Sequence, residues 1–374
     1  MKKLMASLLG TVLMALPANA TDYFRHLTFR ETPFAQHMGI HPISAAEARD
    51  IAHYRFDYDA EGRVTSIRHA IDGKNIANNG NWDSFTWFGP EVRIRYEGNQ
   101  EIHEYYNTEG QRYATHGAVY STVYELDSNG TRTSLRHFDE NDTPVESTWG
   151  AHLYEWSTDD QGRIREVRTN LAGEQVRIRP NFEFFEVRLT YGPDGRVQQM
   201  ENYGLDGKPT NNTSGAGIDR IYYDAQGNFV RWQVYDIDDN PVQGNAPNVH
   251  VGEHLYDKNG NKVGLRGFDK AGKRMTFAFG FRETSMDYDE RGNALGMKHF
   301  APDGTMFDHT MYERTPDGRY LSWIKAVGAD GKPYGSMMMG GAAAIQLIRS
   351  PDNPLDVTRV FYNAQMEEYT PGSN

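Results

Sequence analysis

The chain has 374 residues, 12% of them aromatic and 24% charged, a formal net charge of −12 and no cysteine. Net acidity without any basic block argues against a nucleic-acid surface. The absence of cysteine excludes disulfides, so hydrogen-bonded strands and aromatic packing must hold the fold.

The chain opens with Lys2 and Lys3, an apolar run over 4–16, and Ala18-Asn19-Ala20 before Thr21. This pattern predicts a secretory signal peptide over 1–20, too short in its apolar part to span a bilayer. Its removal takes two lysines and brings the charge from −12 to −14. No later apolar run reaches membrane length, so a periplasmic or secreted protein with no integral membrane segment is expected. Residues 21–53 read as an N-terminal cap. Ser44 and Glu47 have the spacing of a capping box, which predicts a short helix ending near Ala52.

From 54 to 335 an internal repeat takes over. Asp-x-x-Gly occurs at 59–62, 127–130, 159–162, 224–227, 257–260 and 289–292, and looser copies end at Gly98, Gly195 and Gly318. From Gly98 to Gly292 the glycines are spaced by 32, 32, 33, 32, 33 and 32 residues. Such regularity marks repeated structural units. A second turn follows each first one by 11 to 13 residues, for instance at Gly73, Gly110, Gly207 and Gly272. That interval fits one strand, so each unit is a hairpin plus a connector. Nine such units predict an all-β, antiparallel protein, stacked as a solenoid-like or curled sheet, with a β-propeller as the alternative. Residues 336–374 form a C-terminal cap and tail, with a turn over 351–354 and a last strand over 357–362.

Counting from the first-turn glycine sorts the strand by face. Five residues on stand mostly apolar groups, from Ile67 through Leu135, Val167 and Met200 to Trp232 and Trp323, which mark the core. Six residues on stand polar groups such as Arg68, Glu104, Arg136 and Arg168, which should meet water. Seven residues on, the inward direction returns, yet the column reads His69, Tyr105, His137, Thr169, Asn202, Val234, Gly267, His299 and Lys325. Polar groups on an inward column form either a ligand-binding stripe or a set of strand-end bonds to turn backbone. His69, Tyr105, His137, Asn202, Trp232 and His299 are the candidate binding residues.

Other motifs point less far. His250-x-x-Glu253-His254 has the spacing of an inverted zinc-peptidase motif, but Gly252 and the following strand disfavour the helix that chemistry needs. His37-x-x-x-His41 contains Gly39 and precedes Pro42, which suits a loop. Asp257-Lys258-Asn259-Gly260-Asn261 opens like a calcium loop, yet Lys262 and Phe268 stand where its glycine and closing acid belong. No metal and no cofactor are expected, since no phosphate loop or dinucleotide fingerprint is present.

The phrases Tyr58-Asp59-Ala60-Glu61-Gly62-Arg63, Tyr223-Asp224-Ala225-Gln226-Gly227-Asn228 and Tyr288-Asp289-Glu290-Arg291-Gly292-Asn293 resemble the YD repeats of Rhs-type exported bacterial proteins. The resemblance covers roughly residues 54–335 and implies long antiparallel sheets that curl into shells, with envelope glycans as possible ligands. This chain's unit is longer, and it has no distinct C-terminal toxin region. The functional expectation is an exported envelope binding or scaffold protein engaging a glycan or protein partner through a polar and aromatic face. The alternative is an exported enzyme acting on an extended substrate by histidine and tyrosine acid-base chemistry.

Overall fold

The computed structural model describes residues 20–80, 89–179, 182–336, 339–350 and 357–370. The expected signal peptide, apart from its last residue, and the turn over 351–354 lie outside the described residues.

The first turns form through their aspartates. In the first unit the Asp59 Oδ1 accepts the backbone N–H of Glu61 at 3.1 Å and of Arg63 at 2.8 Å. The Gly62 N–H reaches the Asp59 carbonyl at 3.1 Å. Gly62 sits at φ 79°, a conformation that favours glycine. The same carboxylate grip recurs at Asp127, Asp159, Asp224 and Asp257.

Just before most of these turns the ladder carries a β-bulge. The register shifts between Asp57 and Tyr58, Glu125 and Leu126, Tyr222 and Tyr223, and Asp287 and Tyr288. An inserted residue reverses the alternation locally. The bulge therefore turns positions two, five and seven after the glycine to one face, as with Val64, Ile67 and His69.

All ladders are antiparallel and the chain meanders. Strands His53–Tyr58 and Val64–Ile71 pair with each other, the latter with Glu91–Glu97, and so on unit by unit to Val357–Tyr362 and Glu368–Tyr369. At the start, Thr21–Leu27 pairs on one side with Gly39–Ile43 and on the other with His53–Tyr58. The result, among the described residues, is one open sheet of 25 strands. The propeller alternative is set aside, because the ladder runs unbroken from unit to unit instead of dividing into blades. Among the described residues there is no α-helix. The Ser44–Glu47 capping box forms, with the Ser44 N–H 2.8 Å from Glu47 Oε2, but it closes a single 3-10 turn over Glu47–Arg49 rather than a helix.

The sheet curls until its start meets its later units. Ala52 N–H donates to the Arg291 carbonyl at 2.8 Å, Ala294 N–H to the Asn79 carbonyl at 2.9 Å, and Thr108 Oγ1 lies 2.8 Å from the Tyr320 hydroxyl. Loops and side chains make this junction, not a strand ladder.

Residues 26–41 run inside the curl and touch unit after unit. Phe34 packs edge-on to Trp156 at 5.6 Å, Phe29 lies 4.6 Å from Phe229, and His26 Nε2 bonds the Asn259 carbonyl at 3.1 Å. The aromatic and aliphatic inward columns close on this segment as the core.

Candidate functional site

Every candidate from the seven-on column faces inward, and none forms a continuous stripe open to solvent. His69 is 1% exposed and stacks on Tyr54 at 4.9 Å. Burial, with His53 nearby, pulls its pKa down to about 3. Tyr105 donates its hydroxyl to Thr122 Oγ1 at 3.1 Å, and Thr122 Oγ1 lies 3.2 Å from His137 Nδ1. Burial and the neighbouring His116 and His152 bring His137 down to about 3 as well. This chain of three groups borders a crevice of about 30 Å³, room for little more than a water. Asn202 is 1% exposed and bonds the Gly217 carbonyl at 3.1 Å through Nδ2. For Asn202 the strand-end backbone bond expected from sequence is the geometry observed.

One expectation needs correction. Arg168, expected in water, is buried against Glu166, with side chains 1% and 0% exposed and Nη2 2.7 Å from Oε1. The cause is a missing bulge. In this unit Trp156 stands opposite Glu166 and Tyr154 opposite Arg168, without the register shift found elsewhere. A one-residue difference in pairing exchanges the two faces, so Glu166 and Arg168 point inward, while Val167, itself buried, lies on the opposite face of the strand. Position five also holds His103, which bonds Glu101 Oε1 at 2.6 Å, while Arg132 pairs with the same carboxylate. Arg132 Nη1 further donates to the Pro33, Phe34 and Ala35 carbonyls at 2.8, 3.2 and 3.1 Å. Burial alone would raise the Glu101 carboxyl, but Arg132 and His103 bring it well below the usual range.

The other half of the interior is emptier. A cavity of about 410 Å³ lies between residues 26–41 and the units that begin at Gly227, Gly260 and Gly292. Its walls are largely apolar, with Phe29, Phe229, Leu265, Phe281, Met286 and Met297, and its polar groups include His26, His254, Lys262, Thr284 and His299. Among the described residues no aspartate or glutamate lines it.

Each of its three imidazoles is fixed by a different acceptor. His254 Nδ1 lies 2.8 Å from the Phe229 carbonyl, and its ring is flanked by Phe229 at 4.8 Å and Trp232 at 5.2 Å. Trp232 lies across Gly252, where a Cβ would come within 1.9 Å of the indole. Any other residue at Gly252 would displace that wall. His26 bonds Asn259 and lies 5.6 Å from the His41 ring, and burial together with His41 brings it down to about 4. His299 is held by Asp308, with Nδ1 2.9 Å from Oδ2.

Asp308 is 1% exposed and also accepts the hydroxyls of Ser336, at 2.8 Å, and Tyr334. Burial raises its carboxyl, but the bonds from Tyr334, Ser336 and His299 outweigh that and leave it below the usual range. A charged carboxylate can only accept, so Nδ1 of His299 carries a proton, and in the neutral ring Nε2 is the acceptor. The Asp308 position depends on a bulge between His299 and Phe300, which sets His299 opposite Asp308 and Phe300 opposite Met306.

Sequence reasoning singled out His299 and Trp232, met His254 and Lys262 only in motifs of other kinds, and missed His26 and Asp308. One signal was available. Gly292 and Gly318 are only 26 residues apart, against 32 or 33 between successive glycines from Gly98 to Gly292. The unit lacks the connector that elsewhere folds inward, as at Phe277 with Phe281 or Ser147 with Ala151. Strand Met306–Arg314 instead pairs directly with Ala294–Phe300 and presents Asp308.

The three motifs set aside from sequence are dispersed. His250 Nδ1 bonds the Val234 carbonyl at 2.9 Å and shares strand Val251–Tyr256 with His254 only through its neighbour, so no helical face unites them. His37 Nε2 meets Arg30 Nη2 at 3.0 Å while His41 Nε2 meets Asn228 Oδ1 at 2.9 Å. Asp257 grips its own turn. Among the described residues no group of three metal-ligating side chains gathers, and no helix is long and apolar enough to cross a membrane.

No known family model matches this chain, and no curated protein matches it either. Among solved structures, a TcdB2-TccC3-TEV structure is 13% identical over 84% of this chain and 18% of its own, with a TM-score of 0.24. TcdB2-TccC3 without its hypervariable C-terminal region is 12% identical over 90% and 20%, also at 0.24. A porin-like protein from Bacteroides uniformis is 11% identical over 80% and 97%, at 0.22. This chain thus spans about a fifth of the length of the TcdB2-TccC3 chains. What those proteins do stays with them.

Proposed function

We propose that this chain is an exported binding protein of the bacterial envelope that holds a small ligand inside its curled sheet. The signal-like N-terminus and the likeness of its turn unit to YD repeats support the compartment. The observation that carries the binding role is the cavity of about 410 Å³ with few, convergent polar groups. Ligand sites of roughly 300–1,000 Å³ typically have that make-up. The glycan or protein partner expected on an open stripe gives way to an enclosed ligand, because His69, Tyr105, Asn202 and His299 are all buried.

The test is binding of an uncharged polarity-sensitive dye, Nile red. Saturable binding at one site per chain is expected, weakened at least tenfold by Met297→Trp, which fills the cavity, and by Leu265→Trp. Absence of saturable binding, or affinity indifferent to both replacements in folded protein, would overturn the proposal. The enzyme reading is favoured by one observation, the His299–Asp308 pair. It would require a turnover that His299→Gln abolishes while the melting temperature stays in place.

A further inference from the structure

The proposed cavity has an electrostatic character unlike the rest of the molecule. The chain carries 51 acidic residues against 39 lysines and arginines, yet among the described residues no carboxylate lines this space, whereas Lys262 and three histidines do. An amine ligand would find no carboxylate to pair with there. A fully apolar ligand would leave oriented polar groups unused, at a cost in desolvation.

The decisive group is His299. Its Nδ1 is committed to Asp308 and its ring is gripped by Phe281 at a centroid distance of 5.0 Å. No described group bonds Nε2, and the residue borders the cavity. The acceptor is thereby aimed and held by a carboxylate which itself accepts from Ser336 and Tyr334. An imidazole backed in this way is prepared to receive a proton, since Asp308 stabilises the imidazolium that results.

Resting on the binding role proposed above, we infer that the ligand is an amphipathic carboxylic acid, its apolar body along Phe281, Met286 and Met297 and its carboxyl at Nε2 of His299. On binding, Nε2 takes up a proton, from the carboxyl O–H when the ligand arrives as the acid and from solvent when it arrives as the carboxylate. The ligand becomes a carboxylate paired with an imidazolium, and the imidazolium remains bonded to Asp308 through Nδ1. Lys262 adds positive charge from the same wall. A charge-assisted bond of this kind is the strong type, made stronger by an apolar surround.

The experiment is displacement of bound Nile red by decanoate, decanol and decylamine, which share a chain and differ in head group. In the wild type decanoate is expected to displace at least tenfold better than decanol, and decylamine worst. His299→Gln should weaken decanoate about tenfold and decanol less than twofold, and Asp308→Asn should weaken decanoate in the same direction. Decanol matching decanoate, or decylamine exceeding it, would overturn the inference without needing any variant. If all three displace equally, the cavity still binds and only the acid assignment falls. If Nile red itself never binds, the binding role falls with it.

Discussion

The units that begin at Gly162 and Gly292 share the same Asp-x-x-Gly turn and depart from the repeat in opposite ways. At Gly162 the bulge is missing, and the exchange of faces drives Glu166 and Arg168 into an interior that residues 26–41 fill. At Gly292 the turn bulge is kept, the connector is lost, and a further bulge sets Asp308 behind His299 beside open space. One departure produces a closed charge cluster, the other an aimed acceptor facing a cavity. A repeat thus sets where side chains may point, and pairing offsets of one residue decide which chemistry arrives there.

The largest effect expected is acid sensitivity, which draws on buried histidines of both halves. His69 and His137 are brought to about 3 and His26 to about 4, all from a reference near 6.5. A histidine with a depressed folded-state pKa stabilises the fold above about pH 6.5, and that stability is lost as pH falls toward the folded value, because the unfolded chain binds the proton first. Each group contributes a slope of about 1.4 kcal/mol per pH unit in that window. Urea midpoints at pH 7.0, 5.5 and 4.5 should fall steeply, and His69→Phe or His137→Phe should flatten the decline. A midpoint indifferent to pH would mean that these imidazoles are not held neutral.

Next in size is the charge cluster. Arg132→Met leaves Glu101 buried without its guanidinium partner and should cost about 3–5 kcal/mol in urea unfolding. Glu166→Met together with Arg168→Met should cost far less than Arg168→Met alone, since removing both charges leaves neither stranded. Equal costs for the single and double changes would show that packing, and not charge, dominates this unit.

Smallest is Asp219, 7% exposed and bonded by Asn245 Nδ2 at 2.9 Å. Burial, with Glu31 nearby, raises its carboxyl to about 7. A carboxyl raised in the folded state favours folding while protonated and becomes a liability as pH rises from about 4 through 7. Asp219→Asn should therefore stabilise the protein by on the order of 2 kcal/mol at pH 8 and by little at pH 4. A benefit that does not depend on pH would trace the effect to shape instead.

Turn chemistry made much of the fold readable. An aspartate that bonds the amides two and four residues on, with a glycine at positive φ, has a mechanism visible in the letters, and the inward column follows from it. The missing bulge at Gly162 was harder, because its turn motif is intact. Its one trace is Thr158, a polar residue where Tyr58, Leu126, Tyr223, Tyr256 and Tyr288 precede the other aspartates. A further turn escaped notice altogether. Asn363 Oδ1 accepts the amides of Gln365 and Glu367, and Met366 takes φ 61° in the glycine's place, so the grip persists with both signature letters changed. Asp308 and His26 could not be read as neighbours of His299, because long-range curling and a shortened unit bring them to one cavity.

The inward segment also orders the folding of the chain in time. Each hairpin closes over a few residues and can form as soon as its own strands exist. By contrast, His26 meets Asn259, and Ala52 meets Arg291, across more than two hundred residues. Contacts of such separation bear the largest loop-closure entropy and come late. Residues 26–41 are therefore synthesised before the units they must meet and are among the last to find all their partners. Until they do, the apolar inner face of every finished hairpin lies open to water and to other chains, which makes the interval before closure the period of greatest aggregation risk.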